Sequence, residues 1–162
     1  LSVFDGLRDV TTLSVFVRLA CALICGGIIG IERSYKRRPA GFRTHILICI
    51  GAAITTLTSQ YLYLNMHYFT DMARLGAQVV AGIGFIGAGT IIVTKRQRVK
   101  GLTTAAGLWT SGIIGLTFGG GFYEGGILAT RVHHARRACV LAAGVPCVGA
   151  RSRDQCVYGI RG

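Results

Sequence analysis

Four long apolar stretches, residues 13–31, 44–64, 75–93 and 102–122, are separated by short polar connections along the first 130 positions. The first holds one charge, Arg18, and the others hold none unless His45 is protonated. At a rise of about 1.5 Å per residue each covers about 30 Å, the hydrocarbon thickness of a bilayer. A helix buried in a soluble bundle shows a polar face with a 3.6-residue period, and these stretches do not. A cleavable signal peptide fits the first poorly, because no basic region precedes it and it is longer than a signal core. The pattern predicts an all-α membrane protein, a polytopic helix bundle with four transmembrane helices. The chain does not begin with Met, so its native start is expected upstream.

Charge sorts by connection. Residues 32–43 carry Arg33, Lys36, Arg37, Arg38 and Arg43, and residues 94–101 carry Lys95, Arg96, Arg98 and Lys100, whereas 65–74 offers Arg74 alone. By the positive-inside rule, loops 32–43 and 94–101 are expected to be cytoplasmic, with the N-terminus and the second connection outside. The expected location is a bacterial cytoplasmic (inner) membrane. Lys plus Arg outnumber Asp plus Glu by 18 to 6. This excess reads as a topology signal: the basic residues form short clusters, and only Tyr35 and Phe42 stand among them to stack on bases. Nucleic acid is therefore not an expected partner; the lipid bilayer is.

Composition agrees. Hydrophobic residues make up 51% and charged residues 15%, against about 25% charged in soluble domains, which excludes an ordinary water-soluble enzyme. Glycine occurs 24 times and proline twice, so the glycines serve close helix contacts. Thr103, Gly107, Ser111, Gly115 and Gly119 recur every four positions, a ridge that lets two backbones approach. Cys21, Cys25, Gly26 and Gly30 repeat the device in the first stretch, and Ala77, Ala81, Gly84 and Ala88 in the third. Such contacts within the chain or between copies leave a homo-oligomer open.

Residues 82–87 read Gly-Ile-Gly-Phe-Ile-Gly, the letters of a dinucleotide fingerprint, but no strand precedes them and no acid follows before Glu124, so the ribose contact is missing. A nucleotide-binding enzyme is a distant third reading. The sharper alternative is a small transporter or channel whose third helix is locally broken at mid-membrane. Its pathway, or else its helix packing, would use Gln78, Gly82, Gly84, Gly87, Gly89, Thr103 and Thr104. Other hydroxyls of the second and fourth stretches, Thr55, Thr56, Thr58, Ser59, Thr110 and Ser111, read as interhelical hydrogen bonds. Arg18, six residues into its helix, is expected to snorkel to the outer interface as a structural anchor.

At the inner interface Glu32 and Arg33 end one helix, and Arg43, Thr44 and His45 begin the next across the turn Pro39-Ala40-Gly41. These five are the expected cytoplasmic-side polar site, with Glu32 paired to Arg43 or Arg33, or else all five solvated as topology charges. One carboxylate is too few for a dedicated Mg²⁺ cage. No nucleophile elbow, His-Glu-x-x-His or carboxylate pair is present, and the six cysteines form no C-x-x-C. The expectation is a non-enzymatic protein without catalytic residues, metal site or cofactor.

Three blocks carry a resemblance: residues 30–33 with 40–45 (Gly-Ile-Glu-Arg and Ala-Gly-Phe-Arg-Thr-His), 77–89 (Ala-Gln-Val-Val-Ala-Gly-Ile-Gly-Phe-Ile-Gly-Ala-Gly), and 99–109 (Val-Lys-Gly-Leu-Thr-Thr-Ala-Ala-Gly-Leu-Trp). Over about residues 13–130 the chain resembles the MgtC/SapB family of small bacterial inner-membrane proteins. That resemblance implies a five-helix architecture and a link to adaptation to low Mg²⁺ and to virulence. It further implies action through other membrane proteins, the ATP synthase among them.

After Thr130 the resemblance stops. Residues 131–162 carry six Arg, three Cys and one acid, with no 18-residue apolar run. Two domains are expected, a transmembrane domain over 1–130 and a basic tail over 131–162. With four spans the tail would emerge outside, where its arginines oppose the positive-inside pattern. The expectation is a frameshift near codon 130 that replaced a fifth apolar helix; a genuine basic tail is the alternative.

Overall fold

A capping box starts the first helix: Thr11 Oγ1 accepts from the Ser14 amide at 3.3 Å, and Ser14 Oγ accepts from the Thr11 amide at 3.0 Å, so two orphan donors are satisfied reciprocally. The computed structural model describes residues 9–66, 71–94 and 99–142. Its helices are α1 (Thr12–Tyr35), α2 (Phe42–Met66), α3 (Met72–Gly89), α4 (Leu102–Gly119) and α5 (Tyr123–Ala142). A two-residue antiparallel pair, β1 (Ile92–Val93) with β2 (Val99–Lys100), joins α3 to α4. Among the described residues α1, α2 over Phe42–Asn65, and α3 are long and apolar enough to cross a membrane. The protein is an all-α membrane bundle.

Its surface is the inverse of a soluble one. Leu13, Phe16, Leu47, Ile54, Phe85 and Leu128 stand exposed, while Arg18, Arg33, His45, Thr104 and Ser111 are buried. Apolar patches on this scale mark contact with lipid or with another protein.

Helix α2 is clasped from two sides by glycine. A methyl at Gly30 of α1 would lie 2.7 Å from Phe42 Cα, and one at Gly26 would lie 2.9 Å from Cys49 Cβ. From α4, a methyl at Gly115 would strike the Cys49 carbonyl, and one at Gly119 would lie 2.5 Å from the Ala53 carbonyl oxygen. Three backbones thus approach as closely as small residues permit. The ridge of α4 finds its partner in α2: Gly107, Ser111, Gly115 and Gly119 are buried, Thr103 is exposed, and Thr104 takes the interior place beside them.

Two expectations are corrected here. Helix α3 ends at Gly89 and not at position 93: Thr90 turns the chain, and the β-branched residues that follow form β1. Gly101, at φ 98°, lies so close to the Thr90 carbonyl that any side chain there would collide, which closes the hairpin and opens α4. Helix α3 is also unbroken through its glycines. A further helix carries the chain beyond Thr130. Helix α5 runs from Tyr123, in the core beside Ala22 and Phe118, to His134, whose Nδ1 lies 3.0 Å from Glu32 Oε2 at the other end. It therefore passes Thr130 without interruption and returns to the end where the α1–α2 turn lies.

Candidate functional site

The interior of the bundle is polar at both ends of α4. At the end nearest the α1–α2 turn, Arg33 of α1 is buried and donates from Nη2 to Thr104 Oγ1 at 3.0 Å. His45, the fourth residue of α2, has no exposed surface. Its Nδ1 lies 2.8 Å from the Gly41 carbonyl, which can only accept, so Nδ1 carries the proton and neutral Nε2 presents a lone pair. Nε2 makes no hydrogen bond. It faces Gly107: a methyl there would lie 3.7 Å from His45 Nε2 and 3.9 Å from Arg33 Cζ. Arg33 and His45 thus meet over Gly107, inside a seam of three helices.

The five residues expected to form one polar site share this end but occupy different surfaces. Arg33 and His45 face inward. Glu32 lies on the flank of α1, where its carboxylate takes Lys36 one turn on and His134 of α5. Arg43 and Thr44 are exposed at the start of α2, and Thr44 Oγ1 donates to the Gly41 carbonyl at 2.9 Å. The seam is completed by Thr104 and by Ser111, whose Oγ donates to the Gly107 carbonyl at 3.0 Å.

The residues assigned to packing or a pathway separate in the same way. Gly87 packs on Ala105, with 3.3 Å from a would-be methyl to the Ala105 Cβ. Gly82, Gly84 and Gly89 have nothing within 4 Å of such a methyl, and Gln78 is exposed. Only Ile83 and Gly87 of α3 are buried. The ridge Ala77, Ala81, Gly84 and Ala88 points out of the bundle.

At the far end stands a cluster the sequence reading missed. Arg18 does not snorkel: it has no exposed surface, and its Nη1 donates to Gln60 Oε1 at 2.7 Å and to the Gly119 carbonyl at 2.9 Å. Gly119 ends α4, so the guanidinium satisfies an orphan carbonyl at the negative end of the helix dipole. Gly121, at φ 77°, leaves the room: a methyl there would lie 3.0 Å from Arg18 Nη2. The signal was available as Gln60 at the matching depth of the second stretch and the run Gly119-Gly120-Gly121 closing the fourth. Arg18 and Arg33, fifteen residues apart on α1, meet α4 at Gly119 and Thr104, also fifteen apart, a span of about 22 Å.

Among the described residues no group of three or more His, Cys, Asp or Glu is placed to hold a metal ion. The model of the MgtC family matches residues 19–141, a match that runs past residue 130. A YhiD protein of Escherichia coli (strain K12), whose name provisionally calls it a magnesium transporter, is 44% identical over 120 residues, 72% of this chain and 55% of that protein. MgtC of Salmonella typhimurium (strain LT2) is 40% identical over 114 residues, 70% of this chain and 47% of that protein. SapB of Bacillus subtilis (strain 168) is 37% identical over 114 residues, 68% of this chain and 49% of that protein. The chain spans about half the length of these relatives. No solved structure matches it.

Proposed function

Since the chain belongs to the MgtC family, we propose that it acts as a non-enzymatic, multi-pass regulator in the bacterial inner membrane, serving adaptation to low Mg²⁺ through contact with other membrane proteins. The observation that carries this reading is the occupancy of the bundle interior. Buried guanidiniums sit at both ends of α4, and between them glycine contacts bring α1, α2 and α4 to backbone distance. A divalent cation passing within about 8 Å of either arginine would meet about 4 kcal/mol of repulsion at an effective dielectric of 20. Such an interior favours a protein that works by its outer surface.

In this topology the α1–α2 turn and the β1–β2 hairpin are cytoplasmic, α4 is a fourth crossing, and α5 returns beside it. His134 and Arg131 then approach the cytoplasmic side, and the basic residues of α5 obey the positive-inside rule. Virulence and the ATP synthase as a partner are further parts of the reading, supported by the resemblance to the MgtC/SapB family. The transporter reading is favoured by the name of the Escherichia coli relative; it would need a pathway along α3, the helix with the fewest buried residues.

A deletion strain grown in micromolar and millimolar Mg²⁺, complemented by this chain, tests the regulator. The expected result is a growth defect confined to low Mg²⁺, rescued by the wild type and not by Arg43→Ala, which still inserts in the membrane. No defect at either concentration removes the Mg²⁺-linked role. Mg²⁺ flux into vesicles holding the purified protein would move the conclusion to the transporter.

A further inference from the structure

An apolar groove opens between the start of α2 and the end of α3. It has a volume of about 300 Å³ and is lined by Ala40, Leu47, Ile48, Ile86 and Leu108, with Thr44 and Thr90 at its mouth. Both threonines turn their hydroxyls to their own backbone: Thr44 Oγ1 donates to the Gly41 carbonyl, and Thr90 Oγ1 to the Gly87 carbonyl at 2.8 Å. Each therefore withholds its donor from the groove. The groove offers a polar ligand no free side-chain donor.

The other side of Thr44 differs in chemistry. A second depression of about 380 Å³, lined by Ser34, Gly41, Phe42, Arg43 and Thr44, adjoins the groove through that shared residue. Arg43 stands one helical turn before Leu47 and lines this second depression, so it flanks the apolar groove across Thr44. Arg37 and Arg38 are exposed on the same turn. Arg37 has φ 50°, the one positive value outside glycine among the described residues, a conformation that costs about 1–2 kcal/mol. The acid at this end, Glu32, is already engaged by Lys36 and His134. Three exposed guanidiniums therefore face the surroundings.

We infer that this groove and its rim bind one anionic glycerophospholipid, an acyl chain lying between α2 and α3 and the phosphate against Arg43. Charge and polarity separate along the site as they do along such a molecule: an apolar channel without free donors, then a cationic rim one helical turn away. A lipid without net charge would fill the channel equally and lose the rim. The inference rests on the membrane assignment and is independent of the regulatory role.

The test places an indole in the groove. In the Trp109→Phe background, which removes the sole tryptophan, Leu47→Trp puts a reporter at a position 69% exposed. The full chain is reconstituted in bilayers containing phosphatidylglycerol or phosphatidylcholine with dibrominated acyl chains, and quenching gives the relative affinity at that position. One arginine near an anionic lipid is worth about 1 kcal/mol, so phosphatidylglycerol should be preferred about fivefold, and Arg43→Gln should bring the ratio close to one. A reporter from Ile54→Trp, further along α2 and 48% exposed, should show no preference; its unchanged quenching by both lipids also shows that Arg43→Gln remains inserted. Inorganic phosphate at 10 mM should leave the preference intact. The inference is overturned by equal affinity for the two lipids in the parent protein, by a preference that survives Arg43→Gln, or by an equal preference at position 54. Displacement by phosphate would overturn it in favour of a bare-anion site.

Discussion

Replacing Arg18 by methionine removes two hydrogen bonds that a guanidinium makes without exposed surface, one to Gln60 and one to the end of α4. Hydrogen bonds to a charged group contribute about 1.5–3 kcal/mol each in soluble proteins, and breaking a buried charged network costs about 3–5 kcal/mol. Interhelical polar contacts in membranes are weaker, averaging about 0.6 and reaching about 1.7 kcal/mol, because the separated helices find other partners. Methionine also returns some apolar packing along the stem. Taking the membrane values for two bonds gives about 1–3 kcal/mol of destabilisation for Arg18→Met. Gln60→Leu should cost about 1 kcal/mol, and the two should couple by about 1 kcal/mol in a double-mutant cycle. Reversible unfolding in mixed micelles, followed by circular dichroism, measures all three. An arginine that snorkelled to the interface would give a cost below about 0.5 kcal/mol and no coupling with Gln60; that result would refute the buried assignment.

Topology gives an independent check: single cysteines at Arg38 and His134, introduced into a chain with its native cysteines replaced, should react with an impermeant maleimide from one side of the membrane, and a cysteine at Asp71 from the other. Labelling at position 134 from the Asp71 side would contradict the return of α5. Gly115→Leu forces a side chain into the Cys49 carbonyl and the Ala52 methyl and should unfold the bundle in ordinary detergent, whereas Gly84→Leu, on the open face of α3, should change stability by less than about 0.5 kcal/mol. The family match runs to residue 141 and α5 continues through Thr130, so resequencing across codon 130 should find a single reading frame; a shifted frame encoding an apolar helix would show residues 131–162 to be a lesion.

Legibility in the sequence followed from whether a signal was carried by one segment or needed two. Helices α1 and α2 were visible because length and apolarity belong to each alone. The four-residue ridge was equally plain in the third and fourth stretches, yet only that of α4 meets another helix. Periodicity marks a face suited to close contact without saying which element is present to take it. Arg18 was misplaced for the same reason. Depth along a single helix predicts snorkelling, and only the juxtaposition with Gln60 and Gly119 reveals an interior partner. The end of α3 was obscured because Ile91, Ile92 and Val93 are as apolar in a strand as in a helix. Helix α5 escaped because its second half is too charged to read as a span.

The matched fifteen-residue separations on α1 and α4 make these two helices a fixed strut. Sliding one along the other by a single residue would unseat Arg33 from Thr104 and Arg18 from Gly119 together. A shift of α1 along α4 at one mouth of the bundle therefore strains the contact at the opposite mouth as well. A protein that grips a neighbour on one side of the membrane can, through such a strut, be moved by events on the other.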